Sequence, residues 1–504
     1  MITEVISQIL GYFSVDIKTI CLGLFVCVAL HRLLRMKQYN PPLPPSIPFE
    51  LPVIGHFYLL KPDMRKLLRK YRQQLGDVYR MKFGGRSVVI IAGYETIKEA
   101  FLKQADNFAA RPYLHVTTKV SRNAGVAMTS GQVWKEHRRF CLSTLKDFGM
   151  GRSMLEDKLH QEASTMITTL RKMSGIPFDP RQVISTHVTN MISALVFKGS
   201  FKHDDERLVT LLEMMDENIS SNALVGNFLP WLSRVPGDPL NTQKLIKNSD
   251  HIFDFVYELI KEHETYVDED KIEDLTSAYI HEMRRVEKTG ESSTMSYEQL
   301  SGLISDLFIA GSHTTATAIR WALACLIEHP HIQGKLYEEI SSVVGAERLP
   351  SMMDKSKLVY LEAFYLEVIR YCNLAITSGV HATTHDVTFN GYTIRQDDII
   401  LPDLDSVLTD KHIWGDPDIF RPERFIDETG NFKKKEELLI FFIGKRSCLG
   451  EALARMELLT FIGALVQNFK FQSCPGEALT VDKVDGTFGF IHAPKPYQLI
   501  LTSR

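Results

Sequence analysis

Charge of one sign, paired cysteines and long apolar runs are all missing from this 504-residue chain. Lysine and arginine number 58 against 61 aspartates and glutamates, a formal charge of -3, so there is neither the basic footprint of a nucleic-acid binder nor an acidic tail. No nucleic acid is expected, and any partner must be recognised locally. Seven cysteines (Cys21, Cys27, Cys141, Cys325, Cys372, Cys448 and Cys474) are scattered with no CxxC pair, an odd count that does not suggest a disulfide framework and reads as reduced thiols. There is no internal repeat and no Rossmann G-x-G-x-x-G or flavin-binding segment. What remains is ordinary globular composition, with 44% hydrophobic and 24% charged residues, enough for a large core and unlike a disordered or all-membrane chain.

The amino end comes nearest to a membrane segment. Residues 5–30 are apolar apart from Asp16, Lys18 and small polar side chains, but the uninterrupted part, 19–30, is shorter than the roughly 20 residues that span a bilayer core. Arg32, Arg35 and Lys37 follow, a signal-anchor pattern that keeps the main domain on the cytoplasmic side. No small-residue cleavage site is evident, and Glu4 with Asp16 argues against a mitochondrial transit peptide. A helix lying in the interface is the alternative. Pro41-Pro42-Leu43-Pro44-Pro45-Ser46-Ile47-Pro48 then reads as a stiff polyproline spacer. The expected organisation is an anchor over 1–37, a proline-rich hinge over 38–52 and one body over 53–504.

Within the body, strand-like alternation over 77–92 around Gly84-Gly85 predicts a hairpin. Apolar spacings of three and four predict helices over 131–148, 154–173, 185–199, 206–221 and 241–266, while 268–274 and 286–293 read as loops. The longest helical signal, 297–328, opens on Ser296-Tyr297-Glu298-Gln299, which has the form of a capping box. Strand alternation returns over 387–400, 402–425 is irregular, and a last helix runs over 451–467. The fold class is mainly α with a minor β-sheet portion, in a single domain.

One cysteine stands apart. In Phe441-Phe442-Ile443-Gly444-Lys445-Arg446-Ser447-Cys448-Leu449-Gly450, Cys448 lies between glycines just before a helix start. Gly444 and Gly450 permit a tight turn and the approach of a flat ligand, a helix amino terminus lowers a thiol's pKa, and Arg446 offers a fixed cationic fork for a carboxylate. Together they make a thiolate metal ligand plausible.

This stretch resembles the haem-ligand loop of the cytochrome P450 superfamily, F-x-x-G-x-R-x-C-x-G, at every fixed position. The resemblance implies haem b with Cys448 as its axial thiolate, pushing electron density onto iron, and the P450 fold enclosing it. Other family motifs fall in order along nearly the whole chain. Glu367-Val368-Ile369-Arg370 resembles the E-x-x-R helix, and Pro422-Glu423-Arg424-Phe425 the segment whose arginine joins that pair, implying a buried Glu367, Arg370 and Arg424 network. Trp134-Lys135-Glu136-His137-Arg138 resembles the W-x-x-x-R helix; Trp134, Arg138, His381 and Arg446 would contact the haem propionates. The anchor, the hinge and the run after Gly444 resemble the animal microsomal, drug- and hormone-oxidising clan.

Ala310-Gly311-Ser312-His313-Thr314-Thr315 resembles the oxygen-binding motif A-G-x-[D/E]-T-[T/S]. Gly311 would let the helix widen beside iron, and Thr314, with Thr315 beside it, would relay protons. His313 stands where the family has a carboxylate; it either relays protons in its place or fills the site as a neutral side chain. The pocket would draw on 111–128, 200–240, 303–310, 376–380 and 486–491, with Ala310, Ile376 and Phe488 as candidate lining residues; Phe488 and Phe490 serve equally well as strand packing. Prolines common in the clan are absent from 375–380.

The expected function is a haem-thiolate monooxygenase that inserts one atom of O2 into a lipophilic substrate: a hormone, a fatty acid or a xenobiotic such as an insecticide. Electrons would come from an NADPH-dependent cytochrome P450 reductase, with cytochrome b5 as a possible second donor, at the cytoplasmic face of the endoplasmic reticulum membrane. Lys135, Arg139, Lys146, Lys433, Lys434 and Lys435 are candidate docking residues. The runner-up is a reductase-independent isomerase or dehydratase acting on a fatty hydroperoxide. A haem carrier or gas sensor is the non-enzymatic reading, with His313 in its favour.

Overall fold

The structure, a computed structural model, describes residues 39–504 except 62, 148–152, 200, 202–204, 220–221, 266–270, 397, 483 and 489–490, and before residue 39 only positions 19, 23 and 26. The expected anchor therefore lies outside the described residues. Among the described residues no helix is long and apolar enough to cross a membrane.

The hairpin forms as β1 (Val78–Phe83) and β2 (Arg86–Ala92), and β5 (Ile399–Asp403) adds in parallel to β2. Three further pairs are small and antiparallel: β3 (Val387–Phe389) with β4 (Tyr392–Ile394), β6 (Phe469–Gln472) with β9 (Ile500–Ser503), and β7 (Thr487–Phe488) with β8 (His492–Ala493). The proline-rich segment is fastened to this β region. Thr393 N donates to Pro42 O at 2.8 Å, Arg80 N to Pro45 O at 2.9 Å and Ile47 N to Arg80 O at 3.1 Å, so the chain joins the body from Pro41 on.

The α-helices of five residues or more among the described residues are α1 (Arg65–Leu75), α2 (Tyr94–Lys98), α3 (His115–Ser121), α4 (Gly131–Asp147), α5 (Ser153–Arg171), α6 (Arg181–Phe197), α7 (Glu206–Ile219), α8 (Thr242–Glu264), α9 (Leu275–Thr289), α10 (Tyr297–Glu328), α11 (Pro330–Val343), α12 (Val359–Tyr371) and α13 (Glu451–Asn468). The sequence pattern misses α9, whose last turn includes residues read as a loop. Asp274 caps its start by accepting from Ser277 N at 2.8 Å, and Gly290, at φ +68, stops it.

The organising element is α10. Its 32 residues span ~48 Å at ~1.5 Å each, and side chains on all its faces, from Leu303 and Phe308 to Trp321 and Leu326, are buried, as expected of a helix through the middle of a large core. Half of the expected capping box is present: Ser296 Oγ accepts from Gln299 N at 3.2 Å. The other half is replaced, because the Tyr279 hydroxyl accepts the Ser296 N–H at 3.2 Å while the Gln299 side chain reaches Gly125 N at 3.2 Å. The helix ends at His329, where Pro330 begins α11.

Gly311 has a different purpose from the one expected. The helix does not widen there; it is continuously α, and a Cβ at Gly311 would stand 2.2 Å from Ile192 Cδ1. The missing side chain lets α6 pack directly against the oxygen-motif segment.

Candidate active site

The Cys448 loop is shaped by contacts before it. Gly444 has φ +74, and a Cβ there would meet Phe101 O at 1.7 Å, so this glycine is required by protein backbone rather than by a flat ligand. Phe442 is a bulky residue at φ +57, held by rings of Phe101 (4.9 Å) and His381 (5.3 Å). Cys448 N then donates to Phe441 O at 2.8 Å, closing the loop. Gly450 precedes α13, and a Cβ on it would meet nothing within 4 Å.

Cys448 and Gly450 line one cavity of about 320 Å³, within the range of small-molecule sites. Cys448 is exposed towards it. The surrounding protein pushes the thiol up by burial, while the Gly450 N–H and the Arg138 charge pull the other way. The helix start lowers the thiol's pKa as expected, through the Gly450 N–H, but burial outweighs it. Across the cavity stands α10, presenting Ala310, Gly311, Thr314 and Thr315. The Thr314 hydroxyl donates to Ala310 O at 2.6 Å, which leaves its oxygen lone pairs for the cavity. Phe441 lines the same space beneath the Arg455 guanidinium, 5.0 Å from its ring.

A cationic wall completes the cavity. Arg111, Trp134, Arg138 and Arg446 all line it. Arg446 lies 4.0 Å over the Trp134 ring and donates to Ala109 O (2.8 Å), Val126 O (3.2 Å) and Thr129 O (2.6 Å). Arg138 donates to Ser447 O at 2.8 Å, and Arg111 to Ala127 O at 3.0 Å and to Val380 O. These hydrogen bonds go to carbonyls, and each cation raises the cost of the next. Burial and the charges of Arg111 and Arg138 push Arg446 down to about 8; burial and Arg138 push Arg111 down to about 10. Trp134 Nε1 is buried with no partner. Three guanidiniums and an unpaired indole N–H on one wall call for a ligand with more than one carboxylate. With a free sulfur facing an open glycine and apolar walls from Ile192, Leu195, Leu453 and Leu458, the residues fit haem b.

Other expected residues lie elsewhere. His381 is fully buried, its Nδ1 3.0 Å from Phe108 O, and is not part of the cavity lining. Burial and the charges of Arg111 and Arg446 hold its pKa well below the usual histidine value. His313 turns away: its Nδ1 is 3.1 Å from Asp216 Oδ1 on α7. Ile376 accepts from Leu404 N at 2.9 Å, and the cavity wall here is made by Ala375, Thr377 and Ser378. The Phe488 side chain and Phe490 lie outside what is described. Glu367 is bidentate with Arg370 (2.7 and 2.8 Å) and 3.0 Å from Arg424 Nε, all three buried. Arg111 and Asp306 fall within the stretches expected to line the pocket, but no local motif assigns them a role, and the fold supplies it. Asp306 Oδ2 accepts from Val126 N (2.7 Å) and Ala127 N (2.8 Å), and burial pushes its carboxyl up to about 6.

Comparison with known proteins agrees with this geometry. The cytochrome P450 family model matches residues 44–501. Among relatives, cytochrome P450 2C5 of Oryctolagus cuniculus is 36% identical over 479 residues, covering 94% of this chain and 96% of that protein. Cytochrome P450 2C20 of Macaca fascicularis is 35% identical, covering 94% and 96%. Cytochrome P450 2C41 of Canis lupus familiaris is 36% identical, covering 96% and 98%. The chain belongs to the cytochrome P450 family, and is a haem-b-binding monooxygenase of that family.

Proposed function

We propose that this monooxygenase inserts one oxygen atom of O2 into a lipophilic small molecule at a membrane surface, drawing electrons from a separate NADPH-dependent flavoprotein reductase. The observation that carries the reading is a single apolar cavity with Cys448 and three arginines on one side and the Thr314 segment on the other. When bound, haem b supplies dioxygen activation, favoured by a thiolate ligand. Cys448 would be that ligand. Arg111, Arg138, Arg446 and Trp134 would take the two carboxylates, relieving cation repulsion that the protein alone leaves unbalanced. Leucine and isoleucine walls exclude water and select apolar substrates, with Ala310, Ala375 and Thr377 at the cavity wall and Phe488 proposed near the substrate. Thr314 Oγ1, oriented by Ala310 O, would accept and pass protons at the cavity wall.

Membrane association is supported by exposed apolar side chains. Phe49, Leu51, Val53, Ile54, Tyr58 and Leu60 near the start of the body, and Trp231 with Val235, are exposed, and the Phe57 and Phe228 rings join the two segments at 6.2 Å. The endoplasmic reticulum is the membrane that the resemblance to the microsomal clan implies, and the basic residues after 5–30 support a body on its cytoplasmic face. Exposed Lys135, Arg139, Lys146, Lys433 and Lys434 are the proposed docking positions for the reductase or cytochrome b5. Lys435 is less free, its Nζ lying 6.0 Å from the Trp414 ring centre. The relatives do not favour the hydroperoxide isomerase.

The test is reconstitution with reductase and NADPH against fatty acids, terpenoid and steroid hormones and xenobiotics, with products identified by mass. Products heavier by one oxygen and dependent on NADPH support the reading. Conversion that proceeds without NADPH contradicts it.

A further inference from the structure

The oxygen motif of α10 lacks its usual carboxylate, and His313, which replaces it, faces Asp216 rather than the cavity. Another carboxyl stands behind the threonine pair. Glu457, on α13, is 1% exposed yet belongs to the cavity wall. It contacts the Thr315 hydroxyl, and its Oε1 has no hydrogen-bond partner. Thr315 is itself buried and lines the cavity.

Charged groups on the packed elements are engaged elsewhere: on α10, Asp306 accepts from Val126 N and Ala127 N and Arg320 donates to Pro494 O at 3.0 Å; on α11, Glu339 accepts from Tyr360 N and Leu361 N and Lys335 pairs with Glu423 at 3.0 Å. Arg455 of α13 pairs with Glu451 at 2.9 Å; Glu367 and Arg370 of α12 hold each other; Glu162 of α5 binds His187 at 2.9 Å. The Cys448 thiol is influenced by Glu451 and Arg138. A carboxylate so enclosed has no counter-charge, and burial pushes the Glu457 carboxyl up to about 8, so it carries its proton at neutral pH. An unpaired acid buried against a cavity is a costly arrangement for packing alone.

We propose that Glu457 is the proton store of the oxygen-motif face, serving the cavity through Thr315. It takes the place of the carboxylate that α10 lacks, from the opposite helix, and acts as a positioning residue because its proton reaches the cavity through the Thr315 hydroxyl it contacts. In the exchange, the Glu457 O–H bond breaks as its proton passes to Thr315 Oγ1, and the threonine's own proton leaves toward the cavity. A proton arriving from bulk solvent as hydronium then restores the acid, so one proton is delivered per cycle and no electron changes hands. The inference rests on the monooxygenase reading above.

Two measurements on the full-length holoprotein test it. Infrared difference spectroscopy of the wild type should show a protonated carboxylic-acid band that fades as pH rises through about 8 and is missing in Glu457→Gln. A side chain already ionised at neutral pH, or a band untouched by the substitution, overturns the proposal. In the reconstituted system, product formed per NADPH should fall about tenfold or more in Glu457→Gln, with a flattened pH profile and partial rescue by Glu457→Asp. An unchanged ratio and profile in a variant with normal haem content overturns it too. If Glu457→Gln does not fold, the wild-type infrared titration decides. If the wild type forms no NADPH-dependent product, the functional reading fails, while the infrared band still decides whether Glu457 stores a proton.

Discussion

His313 Nδ1 lies 3.1 Å from Asp216 Oδ1, joining the oxygen-motif helix α10 to α7 by a contact between residues 97 positions apart. Asp216 is half exposed, so the pair is worth no more than ~1 kcal/mol. Asp216→Asn and His313→Ala should each speed amide exchange over 206–219 while a double-mutant cycle in urea gives a coupling energy below ~1 kcal/mol. Exchange unchanged in both variants would show that the pair does not hold α7.

The two glycines of the cysteine loop should separate. Gly444→Ala drives a Cβ into Phe101 O at a position where φ is +74, and should cost over ~1 kcal/mol and lower haem content in purified protein. Gly450→Ala meets no protein atom, so it should leave the melting temperature of haem-free protein nearly unchanged and impair only haem uptake. Equal effects of both substitutions on haem-free protein would contradict this assignment.

Glu367 binds Arg370, Arg424 and the Arg421 N–H at 3.0 Å. Glu367→Ala strands two buried guanidiniums, and a loss of ~3–5 kcal/mol is expected. Thermal unfolding and soluble yield report it; a melting point close to the wild type would mean that the network is dispensable.

Asp306 gives a pH signature. Its folded pKa, about 6, exceeds the unfolded 3.8, so the native state holds the extra proton between these values and stability falls as pH rises through that window. Both N–H donors bind one oxygen, which Asn reproduces. Asp306→Asn should therefore match the wild type below the window and exceed it above by roughly 1–3 kcal/mol, read from urea midpoints. A difference that is constant with pH would refute the shift.

The parts of the site legible in the chain are those written within one turn or one helix. Phe441, Gly444, Arg446, Cys448 and Gly450 occupy ten residues, and Glu367 with Arg370 are three apart on one helix, so local spacing reveals them. Arg111 and Asp306 are a lone arginine and a lone aspartate in sequence; their meaning comes from the cavity that folding assembles. The direction of His313 depends on where α7 crosses α10, which periodicity cannot supply. Glu457 is hidden in a largely apolar helix, where an acid reads as solvated. For the fold, 297–328 matches α10 to the residue because its apolar pattern is long and capped, whereas α9 is lost to its charged last turns.

The central proposal is that Cys448, as a thiolate, would hold haem in this cavity. The most direct measurement is the difference spectrum of the reduced protein under carbon monoxide, recorded for the wild type and Cys448→Ala. The account predicts the red-shifted thiolate band in the wild type and its complete loss in the variant. A wild type without that band, or a variant that keeps it, would contradict the assignment.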